Sequence, residues 1–254
     1  MNNDLILVLD SGYGGMHVLN LCKEKMPEQN FIFLMDDKNC PYGNKTKGEV
    51  ETIVVNNIVK EIENNSNIKM VILACNTATA CAIEELRKNV SLPVVGIEPA
   101  LKPALDNLEK NDNILVLCTP LTKKYAKSVY QAEKQVPNKL HYYCNSSLAS
   151  LIDKNISCLD DILPWLSNEL EYFKQHKITR VVLGCTHYTY LQNQIEMVLG
   201  NVKFYLSESA TAEQARRVCE KTGLNGNGRI YFKSTGKIRS KKMQRVFDEH
   251  FRNI

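Results

Sequence analysis

Nine short apolar runs punctuate the 254-residue chain: Leu5–Leu9, Phe31–Met35, Met70–Ala74, Val94–Gly96, Ile114–Leu117, Leu140–Tyr143, Arg180–Gly184, Val202–Leu206 and Arg229–Phe232. Most lack the apolar–polar alternation of a half-exposed strand, so they read as strands buried on both faces. Between most of them polar and apolar positions alternate with helical period, as in Lys47–Glu63 and Leu159–His176. Strand–helix alternation of this kind predicts an α/β fold with largely parallel sheets.

The pattern also repeats. "ILVLDS" begins at Ile6 and "ILVLCT" at Ile114, 108 residues on; Asp36 and Cys144 end the following runs, also 108 apart; Cys75 and Cys185 are 110 apart. Three strand-end landmarks in one order at nearly one offset predict two similar α/β domains related by a pseudo-twofold. The expected boundaries are residues 1–97 plus 208–254 for the first domain and 98–207 for the second. Ligands of open parallel sheets bind at the carboxyl ends of strands. All the landmarks lie there, so the active site is expected in the cleft between the domains.

Composition narrows the class without changing the fold. Apolar residues make up 44% and charged residues 24%, the balance of an ordinary globular protein. No apolar run approaches the roughly 20 residues of a membrane helix. The "MNNDLILVLDSG" start carries no export signal, so no membrane association and a cytoplasmic location are expected. Nine cysteines, an odd number without a CxxC, argue against a disulfide framework or a zinc site. No metal and no cofactor signature is read. In "DSGYGGMH", His17 stands where a dinucleotide loop needs its third glycine. The net charge of +4 is mild, and six basic residues with no acid run from Lys233 to Arg245. That run is read as a solvated turn leading into a surface helix rather than as a nucleic-acid patch.

Two turns carry the chemistry. "VILACNTATA" places Cys75 after one strand and before Asn76 and Thr77; "VVLGCTHYTY" places Cys185 after another and before Thr186 and His187. A cysteine at a helix N-terminus has its thiolate stabilised by the dipole and the free amides, which lowers its pKa. The same amides suit a carboxylate. Two proton-transfer groups facing each other fit racemisation, in which one thiolate removes a proton from one face and the opposite thiol returns one to the other. Without a cofactor, the carbanion depends on electrostatic stabilisation by the site. Asp10, ending the first strand, and His187 are the candidate helpers, and the "CPYGNKT" loop at Cys40–Thr46 is a candidate substrate loop.

These residues resemble the aspartate/glutamate racemase superfamily, and its glutamate branch in particular. The resemblance rests on "DSGYGG" at Asp10–Gly15, "CPYG" at Cys40–Gly43, "ACNTATA" at Ala74–Ala80, "PVVGIEPA" at Pro93–Ala100 and "LGCTHY" at Leu183–Tyr188. It implies two α/β domains with the site between them, Cys75 and Cys185 as proton donor and acceptor, and Asp10 and His187 assisting. It further implies substrate binding by Asp10, Ser11, Asp36, Tyr42, Gly43, Asn76, Thr77, Thr119, Thr186 and His187. The substrate would be L- or D-glutamate, the product would feed peptidoglycan synthesis, and homodimers are common in such proteins. The chain departs from the family pattern in places: "CTP" at Cys118–Pro120 for "GTP", "CNSS" at Cys144–Ser147 for "CPLF", Asp153 where glutamate is usual, and "SESATAEQA" at Ser207–Ala215 for "DSGAETA".

Other readings stay open from sequence. An aspartate racemase or another two-cysteine isomerase would keep both thiols and change the substrate. A racemase-like binding protein would use the basic segment and need neither thiol. A cysteine-nucleophile hydrolase needs one activated cysteine and leaves the duplication unexplained.

Overall fold

The computed structural model describes residues 3–106 and 108–251; the outermost residues of the expected first domain, 1–2 and 252–254, lie outside it. All nine expected strands form. They are β1 (Leu5–Asp10), β2 (Asn30–Met35), β3 (Ile68–Leu73), β4 (Val94–Gly96), β5 (Ile114–Cys118), β6 (Leu140–Cys144), β7 (Arg180–Gly184), β8 (Lys203–Tyr205) and β9 (Ile230–Ser234). Every pairing between them is parallel.

The first sheet has the order β4-β3-β1-β2-β9 and the second β6-β5-β7-β8. Read from its other edge, the second sheet is β8-β7-β5-β6. The two sheets therefore share one winding, 4-3-1-2, and β9 extends the first alone. In such a sheet the chain leaves β1 in one direction and returns to β3 on the other side, so a crevice opens between their carboxyl ends. Asp10 and Cys75 flank that crevice in the first sheet. Cys118–Thr119 and Cys185 flank its counterpart in the second.

Side chains alternate between faces. Ile6 and Val8 of β1 join Leu115 and Leu117 of β5 in one apolar core that runs through both halves. Leu5, Leu7 and Leu9 face a second core under the helix Lys47–Asn64 and the helix Asn76–Asn89. Ile114, Val116 and Cys118 face a third. This continuity makes the relation between the halves a packed one.

Local chemistry sets the boundaries. Thr46 and Glu49 close a reciprocal capping box at the start of Lys47–Asn64. Gly223, at φ 64°, ends Glu208–Thr222 in the left-handed conformation that suits glycine. The expected helix Leu159–His176 is shorter: a 3-10 turn covers Leu159–Ile162, and the α-helix runs Leu163–Lys174 with Pro164 in its first turn. Proline lacks the N–H that would continue a preceding helix, so it starts one instead.

The basic stretch divides in the same way. Lys233 lies on β9 and pairs with Glu61 at 2.8 Å, and Arg245 pairs with Glu249 on the helix Ser240–Phe251. That helix buries Met243, Val246 and Phe247. Among the described residues no helix is long and apolar enough to cross a membrane.

Candidate active site

The two cysteine turns start alike and end differently. After β3, Cys75 adopts extended backbone and caps the α-helix Asn76–Asn89; its sulfur accepts from the Ala78 N–H at 3.5 Å and lies 4.0 Å from Ser11 Oγ. After β7, Cys185 is also extended, but a 3-10 turn (Thr186–Leu191) follows before the α-helix Gln192–Leu199 begins. The Cys185 sulfur receives no capping amide. Its neighbour is His187 Nδ1 at 3.9 Å. The expected helix-terminus placement therefore holds for Cys75 and fails for Cys185. The six residues Thr186–Leu191 turn without aiming an amide back at the sulfur, and an imidazole takes that place.

The electrostatics correct the sequence reading a second time. Burial pushes the Cys75 thiol well above its ordinary pKa, the Asp10 carboxylate pushes it further, and the Ala78 amide opposes them only partly. Desolvation outweighs the helix terminus, so the closed site favours the protonated thiol at Cys75. Across the cleft, burial disfavours a charge on His187, yet Asp153 and Cys185 together raise its pKa well above the ordinary value. His187 Nε2 stands 3.1 Å from Asp153 Oδ1. This is ion-pair distance, although the N–H is not aimed for a hydrogen bond. A cation beside the Cys185 sulfur is what a thiolate base needs.

Asp10 bridges the two halves. One carboxylate oxygen accepts from the Gly12 N–H at 2.8 Å and the other from Thr186 Oγ1 at 3.0 Å. Asp10 is wholly buried, and burial raises its pKa to about 6 against the opposing pull of His187 and the two hydrogen bonds. The glycines of the Asp10–Gly15 loop make this contact sterically possible. A side chain at Gly14 would come within 2.6 Å of the His187 backbone nitrogen and of Thr186 Oγ1, and one at Gly12 would collide with Asp153 and His187.

The remaining predicted residues fall into three groups. Thr77 and Thr119 meet across the cleft, Oγ1 to Oγ1 at 2.9 Å, with Thr122 joining them; Thr119 also caps the helix Pro120–Tyr125. Asn76 is 3% exposed, and neither its Oδ1 nor its Nδ2 has a protein partner. A buried amide with four unused hydrogen-bonding positions beside the thiol is arranged for a ligand. Asp36 sits one layer back. Its oxygens accept from Tyr42 Oη at 2.6 Å, from Asn39 Nδ2 and from Thr235 Oγ1, so it braces the Cys40–Thr46 loop from behind. That loop brings Gly43 against the second half, where an added side chain would meet Thr119 and Ser146 at 3.2–3.3 Å.

Two residues beyond the predicted set also reach the site. Asp153, on the helix Leu148–Lys154, contacts His187 and accepts from the Tyr13 N–H at 3.3 Å. Cys40 places its sulfur 4.0 Å from Asp153 Oδ2, and burial raises its pKa to about 12, which disfavours its thiolate. The signal for Asp153 was a carboxylate at the matching position in a changed motif. Nothing in the sequence marked Cys40 beyond its loop.

Both catalytic candidates are nearly sealed, Cys75 at 6% and Cys185 at 7% exposure. The sequence profile of the Asp/Glu/Hydantoin racemase family matches residues 16–215. Glutamate racemase 2 of Bacillus subtilis strain 168 is 37% identical over 234 residues, covering 89% of this chain and 87% of that protein. A glutamate racemase of Clostridium acetobutylicum is 35% identical over 223 residues, covering 87% of this chain and 86% of that one. Among solved structures, a glutamate racemase isoform from Bacillus anthracis superposes with a TM-score of 0.80 at 26% identity, covering 98% of this chain and 94% of the other.

Proposed function

We propose that this chain, which belongs to the Asp/Glu/hydantoin racemase family, is a glutamate racemase that moves a proton between Cys75, Cys185 and the α-carbon. The observation that carries the reading is the opposed pair of buried thiols with complementary neighbours: Asp10 on the Cys75 side and a cationic His187 on the Cys185 side. The curated relatives named glutamate racemase supply the substrate.

Cys75 feels the charge of Cys185 across the cleft. A negative charge on Cys185 raises the Cys75 pKa, so the two sulfurs disfavour being thiolates together. That suits a two-base racemase, because one sulfur must be base while the other is acid. With Cys75 held protonated and His187 cationic beside the Cys185 sulfur, Cys75 is placed to donate. The opposite enantiomer calls for the reverse state, reached by moving one proton between the thiols through the substrate or solvent.

The substrate's ammonium group changes the balance at Asp10. A cation placed against that buried carboxylate favours its ionised form, and Thr186 and Gly12 already hold it in place. The α-carboxylate fits the free amide group of Asn76 and the backbone amides that open its helix. The developing carbanion then lies between fixed dipoles in a site with little water. Since the thiols are almost wholly covered, glutamate enters only when the two halves part along the Thr77–Thr119 seam. On the family resemblance, the D-glutamate product supplies peptidoglycan synthesis in the cytoplasm and the working form is a homodimer.

The test uses purified protein without added cofactor, L-glutamate in heavy water, and L-aspartate in parallel. α-Proton exchange is followed by NMR and D-product by chiral chromatography. Exchange and D-product from glutamate alone are expected. Reaction with aspartate alone would retain the thiol chemistry and overturn the substrate, and reaction with neither would overturn both.

A further inference from the structure

A second pair of cysteines lies in the second sheet, outside the racemisation chemistry. Cys118 ends β5 and Cys144 ends β6, and the two are direct register partners on adjacent parallel strands. Register partners project to the same face, and their sulfurs are 3.8 Å apart. Neighbouring parallel strands hold their backbones about 4.8 Å apart, inside the Cα separation that disulfides span. Cys118 is fully buried and Cys144 is partly exposed. The sequence departs from the family pattern at both turns, with "CTP" for "GTP" and "CNSS" for "CPLF".

We propose that Cys118 and Cys144 form a modification site: a dithiol that hydrogen peroxide oxidises to an intramolecular disulfide. The partly exposed Cys144 attacks one peroxide oxygen as thiolate, the O–O bond breaks, and hydroxide leaves to take up a proton as water. Cys144 is then a sulfenic acid. The Cys118 sulfur attacks the sulfenic sulfur, the S–O bond breaks, and a second water leaves with the Cys118 proton. Two thiols and one peroxide become one disulfide and two waters.

The surroundings suit these roles. The two sulfurs share a hydrogen bond; with Cys118 as its donor, and with the nearby Lys123 ammonium, it holds the Cys144 pKa below the ordinary thiol value despite partial burial. The same hydrogen bond, with burial, raises Cys118. One thiol is therefore the attacking member and the other the resolving member. Closing the pair from 3.8 Å to a bonded length of about 2.05 Å draws together two strand ends that carry functional neighbours. Thr119, next to Cys118, bonds Thr77 across the cleft. Asn145, next to Cys144, donates its N–H to the Cys118 carbonyl and accepts from Tyr188 Oη through its own carbonyl. Cys118 Cβ also stands 3.0 Å from where a side chain at Gly184 would begin, directly before Cys185. Oxidation therefore misplaces the seam and the Cys185 turn, and kcat/KM should fall about tenfold, given how steeply rate depends on sub-ångström placement. This last consequence rests on the racemase reading; the disulfide does not.

The experiment treats the reduced protein with one equivalent of hydrogen peroxide, alkylates the remaining thiols, and maps the peptides by mass spectrometry. The expected result is a Cys118–Cys144 cross-linked peptide, formed before stable oxidation of Cys75 or Cys185 and removed by dithiothreitol. Racemisation assays on the same samples should show a reversible loss that is absent in Cys118→Ser, Cys118→Ala and Cys144→Ser. Cross-linking of other cysteines in place of this pair, or alkylation of both Cys118 and Cys144 after peroxide, would overturn the proposal. An equal reversible loss in Cys144→Ser would remove its link to turnover.

Discussion

The Cys75 and Cys185 turns occupy matching places in two sheets of one winding and are chemically unlike. Both follow a buried central strand at the crevice of a sheet with the same winding. Cys75 has an α-helix behind it and an aspartate in front; Cys185 has a 3-10 turn behind it and an imidazolium beside it. The difference shows that a repeated winding fixes where a reactive atom sits, while its neighbours fix which way its proton leans. A reaction between mirror-image substrates tolerates this asymmetry. Because enantiomers have equal free energy in water, kcat/KM must be equal in both directions whatever the site looks like. The asymmetry can appear only in kcat and KM taken separately, and in pH profiles.

The largest effect comes from removing either thiol. Cys75→Ser and Cys185→Ser should each reduce racemisation by on the order of 10²–10⁴-fold, the usual range for a lost general acid or base. Calorimetry should still detect glutamate binding. If one variant kept near-normal turnover while the other was dead, the site would be a one-base site, and the comparison between the turns would lose its chemical meaning.

The next effect is on stability, and it tests the Cys75 side. Asp10 rises from 3.8 to about 6 on folding. A raised carboxylate favours folding where it is protonated in both states, below about pH 4, and that contribution is lost as pH climbs through about 6. The span is worth on the order of 3 kcal/mol. Asp10→Asn removes the titration while its carbonyl still accepts from Gly12 and Thr186 Oγ1 accepts from its amide. The variant should therefore be more stable than the parent at pH 7 by up to about 3 kcal/mol, with the gap closing toward pH 4, in urea titrations at several pH values. It should also lose activity. A gap that did not change with pH would show that Asp10 ionises freely in the folded chain.

These neighbours mark the limit of what could be seen in the chain beforehand. The central strands were legible because burial on both faces leaves uninterrupted apolar runs, and the repeat of an α/β unit was legible because Asp36 and Cys144, like Cys75 and Cys185, keep their spacing, although the strand order was not. The sign of the Cys75 shift was not, because a local motif shows the helix terminus and hides the desolvation imposed by the opposite half. Nor was the 3-10 turn after Cys185, whose residues have the same polar and aromatic mix as a helix start. Asp153 lies 34 positions from His187 in sequence and meets it only through the fold. Asp36 was legible as an acid at a strand end, but only the packed structure shows both its oxygens occupied by its own loop and by Thr235.

Asp153→Asn probes the Cys185 side with a smaller expected change. It leaves the thiol and the imidazole in place and removes the anion that helps keep His187 charged. kcat/KM should fall about tenfold, the lower end of what orienting partners of a functional histidine contribute, and equally in both directions. The pH profile should separate positioning from mere packing. With His187 easier to deprotonate, the alkaline limb should move to lower pH in the variant. A uniform drop with an unmoved profile would mean that Asp153 only fills space, and Asp153→Glu should restore most of the parent profile.

The smallest effect concerns the seam that both turns share. Thr77 Oγ1 bonds Thr119 Oγ1 at 2.9 Å, a contact that holds the closed cleft and touches neither thiol. Thr77→Val keeps the shape and deletes the hydroxyl, while Thr119 retains Thr122 as a partner. The change also removes the longer 3.4 Å contact of Thr77 with Thr122, and a neutral hydrogen bond contributes about 0.5–1.5 kcal/mol. Loss of closure should therefore raise KM by roughly two- to tenfold with little change in kcat, because the proton-transfer groups are intact once the site has shut. Because the seam joins the halves without favouring either, the change in KM should be the same for L- and D-glutamate. An unequal change would mean that the closed form holds the two enantiomers through different contacts, and that the asymmetry of the two turns extends to the threonines between them.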